Sequence, residues 1–356
     1  MARSPYTREM AGISKHTNGQ AADITPMRVF VLGATGTIGR AAVTALADAG
    51  HDVTVFVRPS REQDKQDKRE LLATDFGLPG DVSVRMGDPL DPTSLTQQGF
   101  AGESFDVLLS CMASRNGTPQ DAWAVDHAAH ISALDAAQRA GVQHMILLSA
   151  LCVQKPRLEF QLAKLAFEQH LMAADIKYSI VRPTAFFKSL SGQFERVRNG
   201  KPYLMFGNGA LTACKPISDR DLGRFLANCI WNPERWNKIL PIGGPGPALT
   251  PREQGELLFR ALGMKPRFKR VPLSFLRFVI SVLSAVGTLS PRARDKAELA
   301  RIGYYYASES MLVWDEQHQR YDADATPEFG EDTLFDHYQA LANGRAKVDL
   351  GEHAVF

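Results

Sequence analysis

Short apolar runs alternate with longer amphipathic segments along the first half of the chain. Runs of apolar and β-branched residues predict strands over 28–32, 52–57, 82–86, 105–111, 145–148 and 177–181. Alanine-rich segments with helical spacing predict helices between them, over 37–49, 118–140 and 159–174. Strands and helices alternating at this spacing predict an α/β fold, a Rossmann-type doubly wound parallel sheet.

The pattern changes after Pro183, where short strands and Gly-Pro turns replace the strand–helix alternation. We expect residues 1–26 to be a flexible tail and 27–183 to form the Rossmann domain, with further elements returning from the C-terminal half. Residues 184–356 are expected to form mainly a smaller substrate-binding part and a C-terminal tail that wraps the surface. In this part, the capping pattern at Thr250 predicts a helix over 251–262.

Composition and charge exclude several classes of protein. The 356 residues are 44% hydrophobic, and 41 Lys and Arg against 39 Asp and Glu give a net charge of +2. This is a globular composition, and so small a charge provides no field for binding nucleic acid. The four cysteines form no C-x-x-C pair, so we expect reduced, mostly buried thiols and no metal site.

Two segments bear on where the protein acts. The first 26 residues mix basic and acidic side chains and lack an apolar core, so we predict no secretory signal and expect a cytoplasmic location. Residues 271–289 are mostly apolar, but they contain Pro272 and Arg277, and the unbroken apolar run after Arg277 is only about half the length that spans a bilayer. They are compatible with a buried helix, which we expect, or with a helix on a membrane surface.

A glycine-rich turn, GATGTIG, follows the first predicted strand and precedes a helix within a βαβ unit. Gly33 permits the tight turn, Gly36 lets backbone N–H groups approach a pyrophosphate, and Gly39 lets the helix pack on the strand. The motif therefore predicts a nicotinamide dinucleotide site. The residues predicted to form this part of the site are Gly33, Thr35, Gly36, Thr37, Ile38 and Gly39.

The residue after the second strand indicates which dinucleotide is bound. An acid there would bind the ribose 2′-hydroxyl of NAD, but this chain has Arg58, whose guanidinium suits the 2′-phosphate of NADPH. Arg61 is expected to assist, and an ordinary surface charge is the alternative for Arg58. Further cofactor contacts are predicted at the ends of later strands, at Asp88, Ser110, Ser149 and Pro183.

The segment after the fifth strand resembles the catalytic region of the short-chain dehydrogenase/reductase superfamily. The serine and Tyr-x-x-x-Lys set of that superfamily would fall on Ser149, Phe160 and Lys164. Phenylalanine cannot donate a proton, so the usual carbonyl-reducing mechanism is not expected. Lys164 is our candidate catalytic residue, because its charge could hold the nicotinamide ribose; the alternative is an exposed helix lysine.

Longer blocks of sequence resemble the NADPH-dependent divinyl chlorophyllide 8-vinyl reductases, from about residue 28 almost to the C-terminus. The blocks are LLSALCVQKPRLEFQLAKLAFE (147–168), SIVRPTAFFKSLSGQ (179–193), GKPYLMFGNG (200–209), CKPISDRDL (214–222), LPIGGPGPALTPREQGELLF (240–259) and YYYASESML (304–312). The resemblance implies reduction of the 8-vinyl group of a magnesium tetrapyrrole, divinyl chlorophyllide or protochlorophyllide, to ethyl by NADPH in (bacterio)chlorophyll synthesis.

A vinyl group conjugated to a macrocycle can accept hydride because the ring spreads the resulting charge, which makes the loss of the tyrosine understandable. Phe160 is then expected to offer a flat wall to the pigment. Phe186 and Phe187 would add ring surfaces, and Lys188 a cation for a tetrapyrrole carboxylate. Core packing is an equal alternative for the aromatic pair.

Two other functions are compatible with these motifs. A non-catalytic NADPH-binding regulator or pigment-complex assembly factor of the same fold would also lack the tyrosine, and a reductase of another conjugated alkene would share the site. The long matching blocks and the retained Lys164 favour the 8-vinyl reductase. The resemblance also implies peripheral association with a photosynthetic membrane, and a location in the chloroplast if the host is eukaryotic.

Overall fold

A seven-stranded parallel sheet forms the centre of the computed structural model, which describes residues 25–58, 73–287 and 290–348. Two two-stranded sheets, β7-β9 and β10-β11, lie outside it. The strands are β1 (Arg28–Leu32), β2 (Asp52–Val57), β3 (Ser83–Met86), β4 (Val107–Ser110), β5 (His144–Leu148), β6 (Lys177–Pro183), β7 (Tyr203–Phe206), β8 (Lys238–Ile242), β9 (Phe268–Val271), β10 (Val313–Asp315) and β11 (Arg320–Asp322).

Helices connect these strands. They are α1 (Thr37–Asp48), α2 (Pro92–Ser94), α3 (Pro119–Ala122), α4 (His130–Arg139), α5 (Glu159–Ala173), α6 (Phe187–Leu190), α7 (Phe194–Arg198), α8 (Asp219–Asn228), α9 (Pro251–Ala261), α10 (Leu273–Gly287), α11 (Pro291–Ser308) and α12 (Leu334–Ala342). Segments of π-helix, Leu95–Phe100 and Trp123–Ala129, continue α2 and join α3 to α4.

The sheet order β3-β2-β1-β4-β5-β6-β8 confirms the predicted Rossmann-type, doubly wound fold. Side chains alternate across β1, so that Val29 and Val31 enter the apolar layer that includes α1 and α8. Phe30 and Leu32 enter the opposite layer, which includes α4 and α5. Apolar residues on both faces of a strand are what a parallel sheet covered on two sides requires, and they explain the unbroken run RVFVL.

The C-terminal half contributes to this central unit. Strand β8 pairs in parallel with β6 at the edge of the sheet. Helix α8 packs on α1, and a Cβ on Gly223 would lie 2.5 Å from the Ala41 backbone, so glycine is needed for the two helices to approach. Thr250 caps α9 with Glu253 as predicted.

The acidic segment 322–333, which we expect to wrap the surface, is followed by a helix, α12, that enters the interior. Leu334, Tyr338 and Leu341 of this helix are buried in an apolar cluster with α7 and α9. Acidic side chains before the helix are held by bases of the C-terminal half, Asp332 by Arg220 and Glu328 by Lys215. The local composition indicated turns correctly, but it could not show that the following helix closes the cluster.

The prediction of a buried helix at residues 271–289 is wrong. Helix α10 packs along α11, but Phe275 and Phe278 are 56% and 66% exposed. The helix is apolar on most sides and has one principal helix partner, so one face remains open to solvent. Within the described ranges, helices are too short or too polar to cross a membrane.

Candidate active site

The turn between β1 and α1 has the shape of a phosphate cradle. Gly33 has a φ of +76°, and a Cβ there would lie 2.6 Å from the backbone of Cys111. A Cβ on Gly39 would lie 2.0 Å from the Gly33 carbonyl oxygen. Gly36 is the N-cap of α1 and has no side chain to accept from the first-turn N–H groups, which leaves these donors for a phosphate.

The residues around this turn differ in exposure. Thr35 and Gly36 are exposed, Thr37 is half-buried, and Ile38 is buried beneath the turn. The close backbone contacts at Gly33 and Gly39 and the uncapped N-terminus of α1 fit the pyrophosphate of a dinucleotide.

Lys188 lies beside the same turn. Its Nζ donates to Thr37 Oγ1 at 2.8 Å, although the two residues are far apart in sequence. The sequence placed Lys188 near a pigment carboxylate, whereas the structure places it at the first turn of α1. Phe186 is half-buried against the layer of α1 and α8, and Phe187 is 4% exposed in the C-terminal cluster, a position that suits the core-packing alternative.

Arg58 and Asp88 meet at the carboxyl ends of β2 and β3, which are neighbours in the sheet. Arg58 Nε lies 3.6 Å from Asp88 Oδ1, and about half of each side chain is exposed, 49% and 50%. Asp88 is fixed by its backbone N–H, which donates to Ser94 Oγ at 2.9 Å. Because about half of the Arg58 side chain is exposed, its guanidinium can bind the phosphate group of a ligand while it remains close to Asp88. Arg61 lies outside the described residues.

Ser110 ends β4 and is hydrogen bonded to a buried histidine that the sequence did not single out. Ser110 Oγ lies 2.9 Å from His130 Nε2, and His130 Nδ1 lies 2.8 Å from the Val125 carbonyl oxygen. Because a carbonyl only accepts, Nδ1 carries the proton and Nε2 accepts from the Ser110 hydroxyl. Burial and then the charge of Lys164 lower the pKa of His130 to about 4, so the ring is neutral near pH 7.

Lys164 on α5 forms an ion pair with Asp126, another residue that the sequence did not single out. Lys164 Nζ lies 2.9 Å from Asp126 Oδ1, and the side chains are 12% and 0% exposed. Asp126 Oδ1 also accepts from the backbone N–H of Ser114, at 3.2 Å. Within the described chain, its other oxygen, Oδ2, is buried without a hydrogen-bond partner. The exposed-helix alternative for Lys164 is therefore wrong.

The π-helical segment Trp123–Ala129 carries Asp126 into the interior. A carboxylate within a helix that is largely apolar predicts a partner in the interior, because an unpaired buried charge is costly. That pattern was present in WAVDHAAH, but the sequence did not indicate which cation would meet it.

Ser149 directly follows β5, and its hydroxyl points into a buried ion pair. Ser149 Oγ donates to Glu168 Oε1 at 2.5 Å, and Arg182 Nε donates to the same oxygen at 3.2 Å. Arg182 also donates through Nη2 to the second oxygen of Glu168. Glu168 lies four residues after Lys164, so the sequence spacing alone predicts that the two side chains share one face of α5.

Phe160 lies one turn before Lys164 and is 9% exposed. It belongs to an apolar cluster that joins α5 to α11, with Ile302 and Tyr305 on the α11 side. The Tyr305 hydroxyl donates to the carbonyl oxygens of Cys152 and Lys155 at 2.8 and 3.0 Å, which fixes α11 against the loop after β5. The ring of Phe160 therefore borders the site from within an interface between the two halves of the chain.

The carboxyl edge of the sheet brings the predicted residues together. The glycine turn follows β1, and Ser110, Ser149 and Pro183 end or follow β4, β5 and β6, which lie side by side in that order. Pro183 is buried at the end of its strand. In the described ranges there is no group of three His, Cys, Asp or Glu side chains that could hold a metal ion.

Comparisons with known proteins agree with this arrangement. A family model described as NAD(P)H-binding matches residues 33–233. The divinyl chlorophyllide a 8-vinyl-reductase of Zea mays is 46% identical over 334 residues, 92% of this chain and 82% of the relative. The Photosystem II assembly factor Ycf39 of Guillardia theta is 26% identical over 71% of this chain and 76% of its own.

Solved structures share the fold at low sequence identity. The NADPH-dependent quinone oxidoreductase of Escherichia coli, solved with NADPH, has a TM-score of 0.61 and 16% identity, covering 88% of this chain and 99% of its own. The match to the maize reductase covers 92% of this chain and so includes parts of both halves. This chain belongs to the divinyl chlorophyllide a 8-vinyl-reductase family of NAD(P)H-binding proteins.

Proposed function

We propose that this protein reduces the 8-vinyl group of divinyl chlorophyllide a, or of divinyl protochlorophyllide a, to ethyl with NADPH. The observation that carries the proposal is the extent of the similarity to the named plant reductases, which includes both the cofactor edge and the C-terminal half. We propose that residues 27–183 mainly bind the cofactor and that the part after residue 183 mainly binds the pigment.

The cofactor residues form two groups in this proposal. The glycine turn would hold the pyrophosphate, with Thr35, Thr37 and Ile38 as its other members and Lys188 as a nearby cation. Arg58 would bind the 2′-phosphate, and Asp88 would orient Arg58. Ser110, Ser149 and Pro183 would line the edge toward the nicotinamide. Bound NADPH supplies the hydride for the reduction.

Lys164 is the proposed catalytic residue. Reduction of a conjugated vinyl group places negative charge on the macrocycle before a proton is added, and a fixed ammonium stabilises such charge. Asp126 holds Lys164 Nζ in one position and keeps it paired in a buried environment. Asp126 thus acts as a positioning residue.

Ser149 is not proposed as a proton donor. Its hydroxyl donates to Glu168, which already accepts from Arg182, so the proton points into the protein. A reaction that needs no acid at a carbonyl oxygen does not require this hydroxyl or a tyrosine at position 160. The proton that completes the ethyl group would come from water or from Lys164.

The pigment would lie against the aromatic residues beside this edge. We propose that Phe186, which is half-buried, and Phe160 border the macrocycle, and that the buried Phe187 supports the segment from behind. We further propose that the protein acts in the cytoplasm of a bacterium or in a chloroplast, peripheral to photosynthetic membranes.

A non-catalytic assembly role is the second candidate. The likeness to an assembly factor favours it, whereas the phenylalanine at position 160 is compatible with both roles. The paired, retained Lys164 and the much greater identity to the reductases favour the enzyme.

The deciding experiment is anaerobic incubation of the protein with divinyl chlorophyllide a and NADPH, with NADH and with divinyl protochlorophyllide a in parallel. Pigments are then separated by chromatography. Conversion to the monovinyl product with NADPH supports the proposal and shows which pigment is preferred. Binding of NADPH and pigment without conversion would support the assembly role.

A further inference from the structure

One face of α10 is apolar and open to solvent. Its members are Phe275, Phe278, Val282 and Val286, which are 56%, 66%, 46% and 50% exposed. Their spacing of three or four residues places them along one side of the helix, here called the α10 face. The opposite side of the helix packs on α11. Contiguous exposed apolar residues of this kind mark a surface that binds another apolar surface.

A cluster of basic residues lies at the N-terminal end of the α10 face. Lys265, Arg267, Lys269, Arg270 and Arg277 occur within 13 residues, and the sequence contains no acidic residue from 257 to 294. This is a strong local imbalance in a chain whose net charge is only +2. All five side chains are exposed.

The basic cluster is not neutralised within the described chain. There, Lys265, Lys269, Arg270 and Arg277 make no ion pair, whereas the buried Lys164, Arg182 and Lys215 each have a carboxylate partner. Exposed cations without acids beside them raise the local positive potential. The cluster therefore complements a negatively charged surface.

The order of elements places charge and apolar surface together. Strand β9 carries Lys269 and Arg270, and Pro272 separates it from the first turn of α10. Arg277 is exposed within that helix beside Phe278. Aromatic side chains beside cations are typical of helices that lie in the headgroup region of a bilayer. A second copy of the chain fits less well, because it would bring two basic clusters together.

We propose that the α10 face docks on the surface of a bilayer that contains anionic lipids. The four apolar side chains enter the headgroup–acyl boundary, and the basic cluster binds lipid phosphates. The inference rests on the proposed function in one respect only, that the pigment is an amphiphile presented at a membrane. Docking would place the reductase where that pigment partitions.

Vesicle flotation of the full chain tests the docking without pigment or NADPH. Vesicles contain equal parts of phosphatidylglycerol and phosphatidylcholine, or phosphatidylcholine alone. We expect the wild type to float with the anionic vesicles and to be released by about 0.5 M NaCl, since each cation near the surface contributes about fivefold to binding. Two double variants, Phe275→Ser/Phe278→Ser and Lys269→Glu/Arg270→Glu, should each lower vesicle binding by about tenfold or more.

Matched variants elsewhere on the surface are the controls. Leu211→Ser removes another apolar side chain, 50% exposed, and Arg139→Glu/Lys238→Glu reverses two exposed cations away from α10. Both should bind vesicles as the wild type does. A wild type that stays unbound, or variants that float unchanged, would overturn the proposal.

Turnover of detergent-dispersed pigment separates this proposal from the proposed function. Variants of the α10 face that lose vesicle binding and keep turnover support docking. Variants that keep vesicle binding and lose turnover would assign the face to the pigment and overturn docking. A dimer in sedimentation velocity that the Phe275→Ser/Phe278→Ser variant dissociates, with no vesicle binding by the wild type, would assign the face to a second copy. Vesicle binding by a protein that never reduces pigment would contradict only the proposed function.

Discussion

Lys164 Nζ lies 2.9 Å from Asp126 Oδ1, which joins α5 to the π-helical segment Trp123–Ala129. Both side chains are almost completely removed from solvent, so the position of the ammonium is set by the carboxylate and not by water. The same carboxylate oxygen accepts from the backbone of Ser114 in the loop after β4. One acid therefore ties the proposed catalytic lysine to the cofactor edge of the sheet.

Replacement of Lys164 by Ala should lower turnover by at least about tenfold, or about 1.4 kcal/mol of activation free energy. The variant loses the ammonium that stabilises negative charge on the pigment, whereas Lys164→Arg should restore part of the rate. Initial rates with saturating NADPH and pigment give the comparison, and Lys238→Ala, at an exposed lysine, is the control. A rate near that of the wild type would remove Lys164 from the mechanism.

Replacement of Asp126 by Asn should lower the free energy of unfolding by about 3 kcal/mol, because it leaves the Lys164 ammonium unpaired in the interior. The double variant Lys164→Met/Asp126→Asn should lose less than the sum of the two single changes. Denaturant unfolding of the four proteins measures this coupling. Strictly additive losses would mean that the ion pair does not connect the two residues energetically.

Replacement of Arg58 by Asp should weaken NADPH binding relative to NADH by about tenfold or more, because a charge-assisted contact to phosphate contributes about 1.5–3 kcal/mol. Dissociation constants for both dinucleotides are measured by fluorescence titration. Arg139→Asp, which changes an exposed cation away from the cofactor edge, should leave their ratio as it is. An unchanged ratio in Arg58→Asp would place the 2′-phosphate elsewhere.

Most of the sheet could be predicted from the sequence because its signals are local. Apolar runs such as RVFVL predict strands that are buried on both faces. The glycines of the β1–α1 turn predict a backbone path in which a side chain would clash. The boundaries of β5 and α5 differ from prediction by one residue, as is usual where hydrogen bonding frays.

The partners of the site residues could not be predicted in the same way. Asp126 meets Lys164 across 38 positions, and Thr37 meets Lys188 across 151, so neither pair follows from spacing. The exposure of α10 was missed for a related reason. The apolar composition of a helix predicts that it packs on another apolar surface. It does not predict how many faces of the helix the rest of the chain covers.

Removal of Glu168 should be among the more destabilising changes in the protein. Glu168→Ala leaves Arg182, whose side chain is 7% exposed, without its carboxylate, at a cost of about 3–5 kcal/mol. The double variant Glu168→Met/Arg182→Met removes both charges and should recover most of that loss. Thermal or denaturant unfolding measures both, and a double variant as unstable as Glu168→Ala would show that Arg182 has other, more important contacts.

The histidine beside Ser110 should make stability depend on pH. His130 has a pKa of about 4 in the folded protein, against 6.5 as the ordinary value, because burial and the charge of Lys164 disfavour its protonated form. The unfolded chain then binds a proton that the folded chain rejects between these values. The contribution of neutral His130 to the free energy of unfolding is therefore complete above about pH 6.5 and is lost as the pH falls toward 4. Between about pH 7 and about pH 5, His130 alone should account for a loss of about 2 kcal/mol.

Unfolding free energies of the wild type and His130→Gln at these two pH values isolate the contribution of His130. The wild type should lose more stability than the variant on acidification, while the variant keeps the losses due to other buried histidines. The most important of these other histidines is His144. Its pKa is also lowered to about 4, chiefly by burial. His144→Gln should therefore show a similar reduction in slope, and the two effects should add because the residues occupy different strands and helices. Equal slopes in the wild type and His130→Gln would mean that the pKa of His130 is the same in the folded and the unfolded chain, which would contradict its burial as a neutral ring.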